Sequence, residues 1–268
     1  MLLSFLRRSA GRKAAKHAYT DMYAPGVYSD AHGNRMPYRL LAPAAKSPGE
    51  RLPLVVFLHG ARERGSDNIK QLKNGGAFFA DPANRLRFPA YVLFPQCPAR
   101  AWTTAINRHM FMEGAPVPPM TQTESTLMCL IDDIALRYPV DPDRIYLVGL
   151  SMGGVAVYDL VCRFPRRFAA AVPMCGAVNA DRLRRANDVA FMIFHGARDR
   201  RVPVVCGRKA SRALRRAGAD VHYVEFARKG HNCWDAAFAY PPLLPWLFSR
   251  RRTVKIPAPD LTPALAEM

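Results

Sequence analysis

A serine, an aspartate and a histidine, in that order along the chain, have the surroundings that acyl transfer requires. Ser151 lies in Gly149-Leu150-Ser151-Met152-Gly153, after the strand-like run Arg144-Ile145-Tyr146-Leu147-Val148 and before Val155 to Arg163, which reads as a helix. A G-x-S-x-G sequence placed where a strand turns sharply into a helix lifts the serine hydroxyl clear of the backbone. Glycine is needed there because a side chain would collide across the tight turn. The pattern is short enough to recur by chance, so its weight comes from the strand–turn–helix setting and from two partners downstream.

Serine is a poor nucleophile at neutral pH and needs a general base, which in turn needs an orienting group. After Ser151 the chain offers only His195, His222 and His231. His231, in Gly230-His231-Asn232, follows the last strand-like run and precedes the last helical one, so it falls in a loop at the active edge of a sheet. His222 sits inside the alternating run Val221-His222-Tyr223-Val224, and His195 is tied to its own turn. The base is therefore assigned to His231, and activity is expected to fall on the acid side, where an imidazolium cannot accept the serine proton. Asp199, just beyond the preceding strand, is assigned as the carboxylate that accepts the His231 Nδ1 proton, with Glu225 as its rival. Backbone N–H groups of Met152 and Ala61 are the expected donors to a tetrahedral oxyanion. The order Ser–Asp–His is that of α/β hydrolases.

These residues need a scaffold, and the chain supplies one. Leu52 to Leu58 and Tyr91 to Phe94 are continuous apolar runs of the kind found in strands buried on both faces. Further strands are expected at Ile145–Val148, Ala169–Met174, Val189–Phe194 and Val221–Phe226, with an edge hairpin between Tyr28 and Ala42. Helical spacing marks Thr121 to Tyr138, Pro203 to Ala217 and a last segment from Trp234 to Phe248. Strands alternating with helices predict one α/β domain, a mostly parallel sheet with helices on both faces and reacting groups at the strand C-terminal ends. That domain is placed at residues 21–250, between a basic arm (1–20) and a Pro-containing tail (251–268). The short stretch from Cys175 to Asp188 leaves no room for a large lid. The long loop from Pro98 to Met120 is read as a cleft wall, with Trp102 exposed to stack on a sugar or aromatic acyl group, while Trp234 packs beside the base.

The chain of 268 residues carries a formal net charge of +18, which would attract polyanions non-specifically. The basic residues are scattered, without aromatic interleaving or a zinc-finger signature, so no specific nucleic-acid partner is expected. Six cysteines show no metal-binding spacing; several, Cys129 among them, sit in apolar runs as reduced core cysteines do, while spacing alone leaves one or two disulfides open. No apolar run is long enough to span a bilayer. Without a recognisable secretory signal, the expectation is a soluble protein, cytoplasmic by default.

Taken together, Leu58-His59-Gly60-Ala61-Arg62-Glu63-Arg64-Gly65-Ser66-Asp67-Asn68, Pro95-Gln96-Cys97, Gly149-Leu150-Ser151-Met152-Gly153, His195-Gly196-Ala197-Arg198-Asp199 and Gly230-His231-Asn232-Cys233-Trp234 resemble a known group. They are similar to the small lidless serine esterases of the α/β-hydrolase fold, often labelled predicted peptidases, related to polyhydroxybutyrate-depolymerase-like and feruloyl or acetylxylan esterases. The resemblance covers Pro37 to Phe248. It implies hydrolysis of small-molecule or polysaccharide-linked carboxylic esters through an acyl-enzyme, with no cofactor and no metal. One position departs: where this chain has Arg62 the family usually has glycine. Arginine would be strained there if positive φ is needed, or would face the cleft and hold an acidic substrate group. The rival expectations are a prolyl-oligopeptidase-type peptidase and a non-catalytic polyanion-binding protein on the same scaffold.

Overall fold

The computed structural model describes residues 19–98, 101–103, 114 and 116–252. Its central strands are β3 (Leu52–Leu58), β4 (Tyr91–Pro95) and β5 (Val140–Leu150), the first two buried at every position. Alternate residues serve opposite cores. Leu54, Val56, Leu93 and Leu147 point to one, and Val55, Phe57, Val92 and Val148 to the other. A two-residue side-chain period with both faces covered is what makes such strands read as unbroken apolar runs.

Flanking them are β1 (Tyr23–Ser29), β2 (Arg35–Leu41), β6 (Ala170–Met174), β7 (Ala190–Gly196) and β8 (Val221–Phe226). The eight strands run in the order β1-β2-β4-β3-β5-β6-β7-β8. β1 and β2 are antiparallel to their neighbours and every later pairing is parallel. The helices are α1 (Gly76–Ala80), α2 (Pro82–Arg87), α3 (Gln122–Arg137), α4 (Met152–Arg163), α5 (Val204–Arg216), α6 (Trp234–Phe238) and α7 (Leu243–Phe248). Helices α3, α4 and α5 cover one face, whereas α1, α6 and α7 cover the other. This is the α/β-hydrolase architecture expected from the sequence. Between β6 and β7 the chain carries only a 3-10 segment, Ala180–Ala186, and no bulky lid.

Several boundaries differ from expectation. The hairpin begins at Tyr23, because β1 is an edge strand whose half-exposed Tyr-Ala-Pro-Gly sequence lacks apolar alternation. The single helix expected from Trp234 to Phe248 is two, since Pro241 and Pro242 interrupt it. Cys129 is exposed on the outer side of α3 rather than in the core, and the six cysteines are unpaired. No helix among the described residues is long and apolar enough to cross a membrane. The arm and the tail lie outside the described residues, apart from 19–20 and 251–252.

Helix α3 starts with a reciprocal cap: Glu124 N–H donates to Thr121 Oγ1, and Thr121 N–H to the Glu124 carboxylate. The same Glu124 is fully buried against Asp159 of α4, beside Arg163 and Arg182. Burial, and then the hydrogen bond and charge of Asp159, push the Glu124 carboxyl up from its ordinary value. The native state thus holds this proton more tightly than the unfolded chain. That contribution is complete below the ordinary carboxylate range and is lost as pH rises through it toward the raised native value. Glu124→Gln keeps the cap without titrating. Its melting temperature should gain on wild type between acid and alkaline pH by the equivalent of about 1 kcal/mol or more. Parallel pH profiles in thermal melts would contradict the buried pair.

Candidate active site

The turn that carries Ser151 is a place where backbone meets backbone. A Cβ at Gly153 would lie 1.9 Å from the Leu58 carbonyl oxygen, and one at Gly149 would lie 2.6 Å from the Gly153 oxygen. Only glycine lets the start of α4 approach the ends of β3 and β5 this closely. Ser151 itself adopts φ 54° and ψ −116°, left-handed backbone of a kind that costs on the order of 1–3 kcal/mol and persists only when its surroundings enforce it. They do so here: the Ser151 N–H donates to Met174 O at 2.9 Å, and its carbonyl accepts from Val155 N–H at 3.0 Å.

Ser151 Oγ stands 2.8 Å from His231 Nε2, and His231 Nδ1 stands 2.8 Å from Asp199 Oδ2. The Asp199 side chain is fully buried, and its other oxygen accepts the backbone N–H groups of Arg201 (2.8 Å) and Val202 (2.9 Å). A carboxylate anchored by two amides leaves Oδ2 for the imidazole, so Nδ1 carries the proton and Nε2 faces the serine with a lone pair. The Trp234 ring packs edge-on to His231 with centroids 6.0 Å apart. The structure therefore brings together the three side chains singled out in the sequence. Glu225, the rival acid, instead pairs with Arg208 at 2.6 Å and accepts from the Tyr223 hydroxyl.

The turn after β3 lies against Ser151, since a Cβ on Gly60 would be 3.7 Å from Ser151 Cβ. Ala61 opens the 3-10 turn Ala61–Glu63 and Met152 opens α4, so the N–H of each lacks an intrahelical acceptor. Arg62 belongs to that turn, outside the left-handed region, so the expected backbone strain is absent. Its exposed side chain lines a cleft of about 310 Å³ together with Ser151 and His231.

Trp102 requires correction. It is completely buried, and its Nε1–H donates to His59 O at 3.1 Å. The indole packs against the His59 ring at 5.0 Å and supports the turn from beneath instead of facing a substrate. A buried indole N–H needs an acceptor, and the free carbonyl at the end of β3 supplies it. None of the described residues between Pro98 and Met120 lines the cleft at Ser151, so the wall expected of that loop is not formed by them; residues 104–113 lie outside the described residues.

Two histidine roles escaped the sequence reading. His59 is fully buried, with Nδ1 2.7 Å from Gly60 O and Nε2 accepting the Cys97 N–H at 2.9 Å. Nδ1 therefore carries the proton, and burial lowers the pKa to about 4, so this ring is a neutral strut for the turn. His195 Nε2 donates to Val202 O at 2.9 Å and lies 3.5 Å from Asp199 Oδ2, and burial likewise holds it neutral. Nothing in the local sequence marks either role, because their partners arrive through the fold.

Cys175, Asp199 and His231 bring possible metal-ligand atoms within 4.8 Å of one another. Asp199 and His231 are already spent on each other, and burial pushes the Cys175 thiol well up, away from the thiolate a metal requires. The set suits proton relay and not metal binding.

The chain is 33% identical to a thermostable esterase of known structure, with a TM-score of 0.80, over 87% of this chain and 64% of that one. It thus spans less than two thirds of that esterase's length. A ferulic acid esterase superposes with a TM-score of 0.63 at 16% identity, covering 85% of this chain and 98% of the other. An acylaminoacyl peptidase of Pyrococcus horikoshii does so at 0.65 and 12%, covering 88% and 43%; at such identities the likeness concerns the fold alone. No curated protein matches the chain by sequence. Residues 36–214 match the esterase PHB depolymerase family, and the chain belongs to that family.

Proposed function

We propose that this protein hydrolyses carboxylic esters of short-chain or aromatic acyl groups through an acyl-enzyme on Ser151. The observation that carries the reading is the unbroken relay from a strained serine to a buried carboxylate, with 2.8 Å at both links. In the first half-reaction Ser151 Oγ attacks the ester carbonyl while His231 Nε2 takes its proton. Asp199 holds the imidazole in the productive tautomer and stabilises the imidazolium. The N–H groups of Met152 and Ala61 receive the oxyanion, and donors fixed beforehand need no reorganisation when charge develops. Collapse expels the alkoxide, which takes the proton from His231. Water then attacks the acyl-enzyme with the same imidazole as base and releases the acid.

Family membership favours ester over amide cleavage. An open cleft, with no lid in the β6–β7 connection, supports small acyl groups. The test is a series of 4-nitrophenyl esters from acetate to long chain, with a feruloyl ester and a peptide anilide beside them. Turnover should peak at short or aromatic acyl groups. Cleavage confined to the anilide, or none by folded protein, would overturn the proposal.

A further inference from the structure

Three cations from separate parts of the chain converge on the cleft that holds Ser151 and His231. They are Arg62 on the turn after β3, Lys73 on the turn before α1, and Arg201 just past Asp199. All three side chains are exposed, and among the described residues none makes an ion pair or a side-chain hydrogen bond. Elsewhere the arginines of the interior are neutralised in place: Arg163 and Arg182 by Asp159, and Arg252 by Asp143.

The cleft also contains two acids, and they do not cancel this charge. Glu63 is buried and accepts from Asn74 Nδ2 at 3.2 Å, and burial raises its pKa against the pull of Lys73 and Arg62. Asp235 is exposed and carries a single charge. Three cations against two acids leave an excess of positive charge beside the nucleophile. A guanidinium presents a planar fork that matches a carboxylate in two parallel hydrogen bonds, and two of the three cations are arginines.

We propose that the cleft selects esters that carry a free carboxylate on their acyl or alcohol part, held by Arg62, Lys73 and Arg201. This rests on the esterase reading of the same site and adds its substrate class. Ester bond and proton transfers are unchanged; the carboxylate is a handle, not a reactant. A chain of net charge +18 would also draw such substrates in, so their kcat/KM should fall with ionic strength more steeply than that of neutral esters.

The experiment compares matched pairs. One is mono-4-nitrophenyl adipate against its methyl ester, with the charge on the acyl side. The other is 4-acetoxybenzoate against methyl 4-acetoxybenzoate, with the charge on the alcohol side. The readout is the ratio of kcat/KM, charged over neutral, within each pair. Wild type should favour the charged member of at least one pair, and which pair responds tells the side. Replacing all three cations (Arg62→Gln, Lys73→Gln, Arg201→Gln) should lower that ratio about tenfold, as expected for a few partly solvated charge pairs. The remote exposed Arg216→Gln controls for net charge and should leave the ratio where it was. Neutral members preferred by wild type in both pairs, or a ratio unmoved by the triple variant, would overturn the carboxylate assignment while leaving the esterase intact. No Ser151-dependent turnover of any of the four esters would instead overturn the esterase reading.

Discussion

Ser151→Ala should lower kcat/KM for the best 4-nitrophenyl ester by about 10⁴-fold or more, with the fold intact. Losses of this order follow removal of a serine nucleophile whose oxyanion donors and binding contacts remain in place. The loss should fall on kcat, because the hydroxyl is needed only once the substrate is bound. Stability provides an independent check. Alanine inherits the φ of 54° without relief, so its melting temperature should stay close to that of wild type. Ser151→Gly, equally inactive, accepts that backbone freely and should melt higher, by the equivalent of about 1 kcal/mol. An alanine variant that kept even a hundredth of the activity would mean that the hydroxyl is not the attacking group.

The second large effect concerns Gly153. A methyl group there would overlap the Leu58 carbonyl oxygen at 1.9 Å, with Leu58 C at 2.5 Å and His59 O at 2.8 Å also in the way. These are backbone atoms of a fully buried strand, so no side-chain rotation makes room. To accept Gly153→Ala, the first turn of α4 must move off the end of β3. That opens the packing between them and shifts Ser151 relative to Ala61. Destabilisation of about 4 kcal/mol is expected, in the range of severe overpacking. For a domain of this size that corresponds to a melting temperature lower by about 10 °C. Thermal unfolding of the variant, or its failure to accumulate as soluble protein, is the measurement. A melting curve that superposes on wild type would contradict the close approach.

The architecture was legible because periodicity reports burial directly. β3 and β4 read as continuous apolar runs because both faces are covered, and α3 shows its buried stripe of Leu127, Leu130, Ile131 and Ile134 in its spacing. Legibility failed where burial is one-sided or arrives from afar. β1 has a half-exposed edge sequence containing Pro25 and Gly26. Pro241-Pro242 outweighed an apolar pattern that runs on through the break. The meeting of Ser151, Asp199 and His231 was readable because each lies just past a strand end, where a parallel sheet gathers its loops. Trp102 was misread for the opposite reason. Nothing around it in the chain announces that a carbonyl just past a strand end, 43 residues earlier, waits for its indole N–H. The neutral roles of His59 and His195 were hidden in the same way, since a tautomer is fixed by partners and not by neighbours in sequence.

The supports of the turn after β3 carry a consequence for how the molecule matures. His59 is tied to Cys97, Gly60 and Trp102, across separations of up to 43 residues. Loops of that length close late relative to local helices and hairpins. A refolding chain would therefore regain most of its helical signal while the 59–63 turn still lacks its braces. If His59 lets go of Cys97 and Trp102 before the sheet melts, activity is lost at a lower temperature than the far-ultraviolet signal, a difference that paired melts would read.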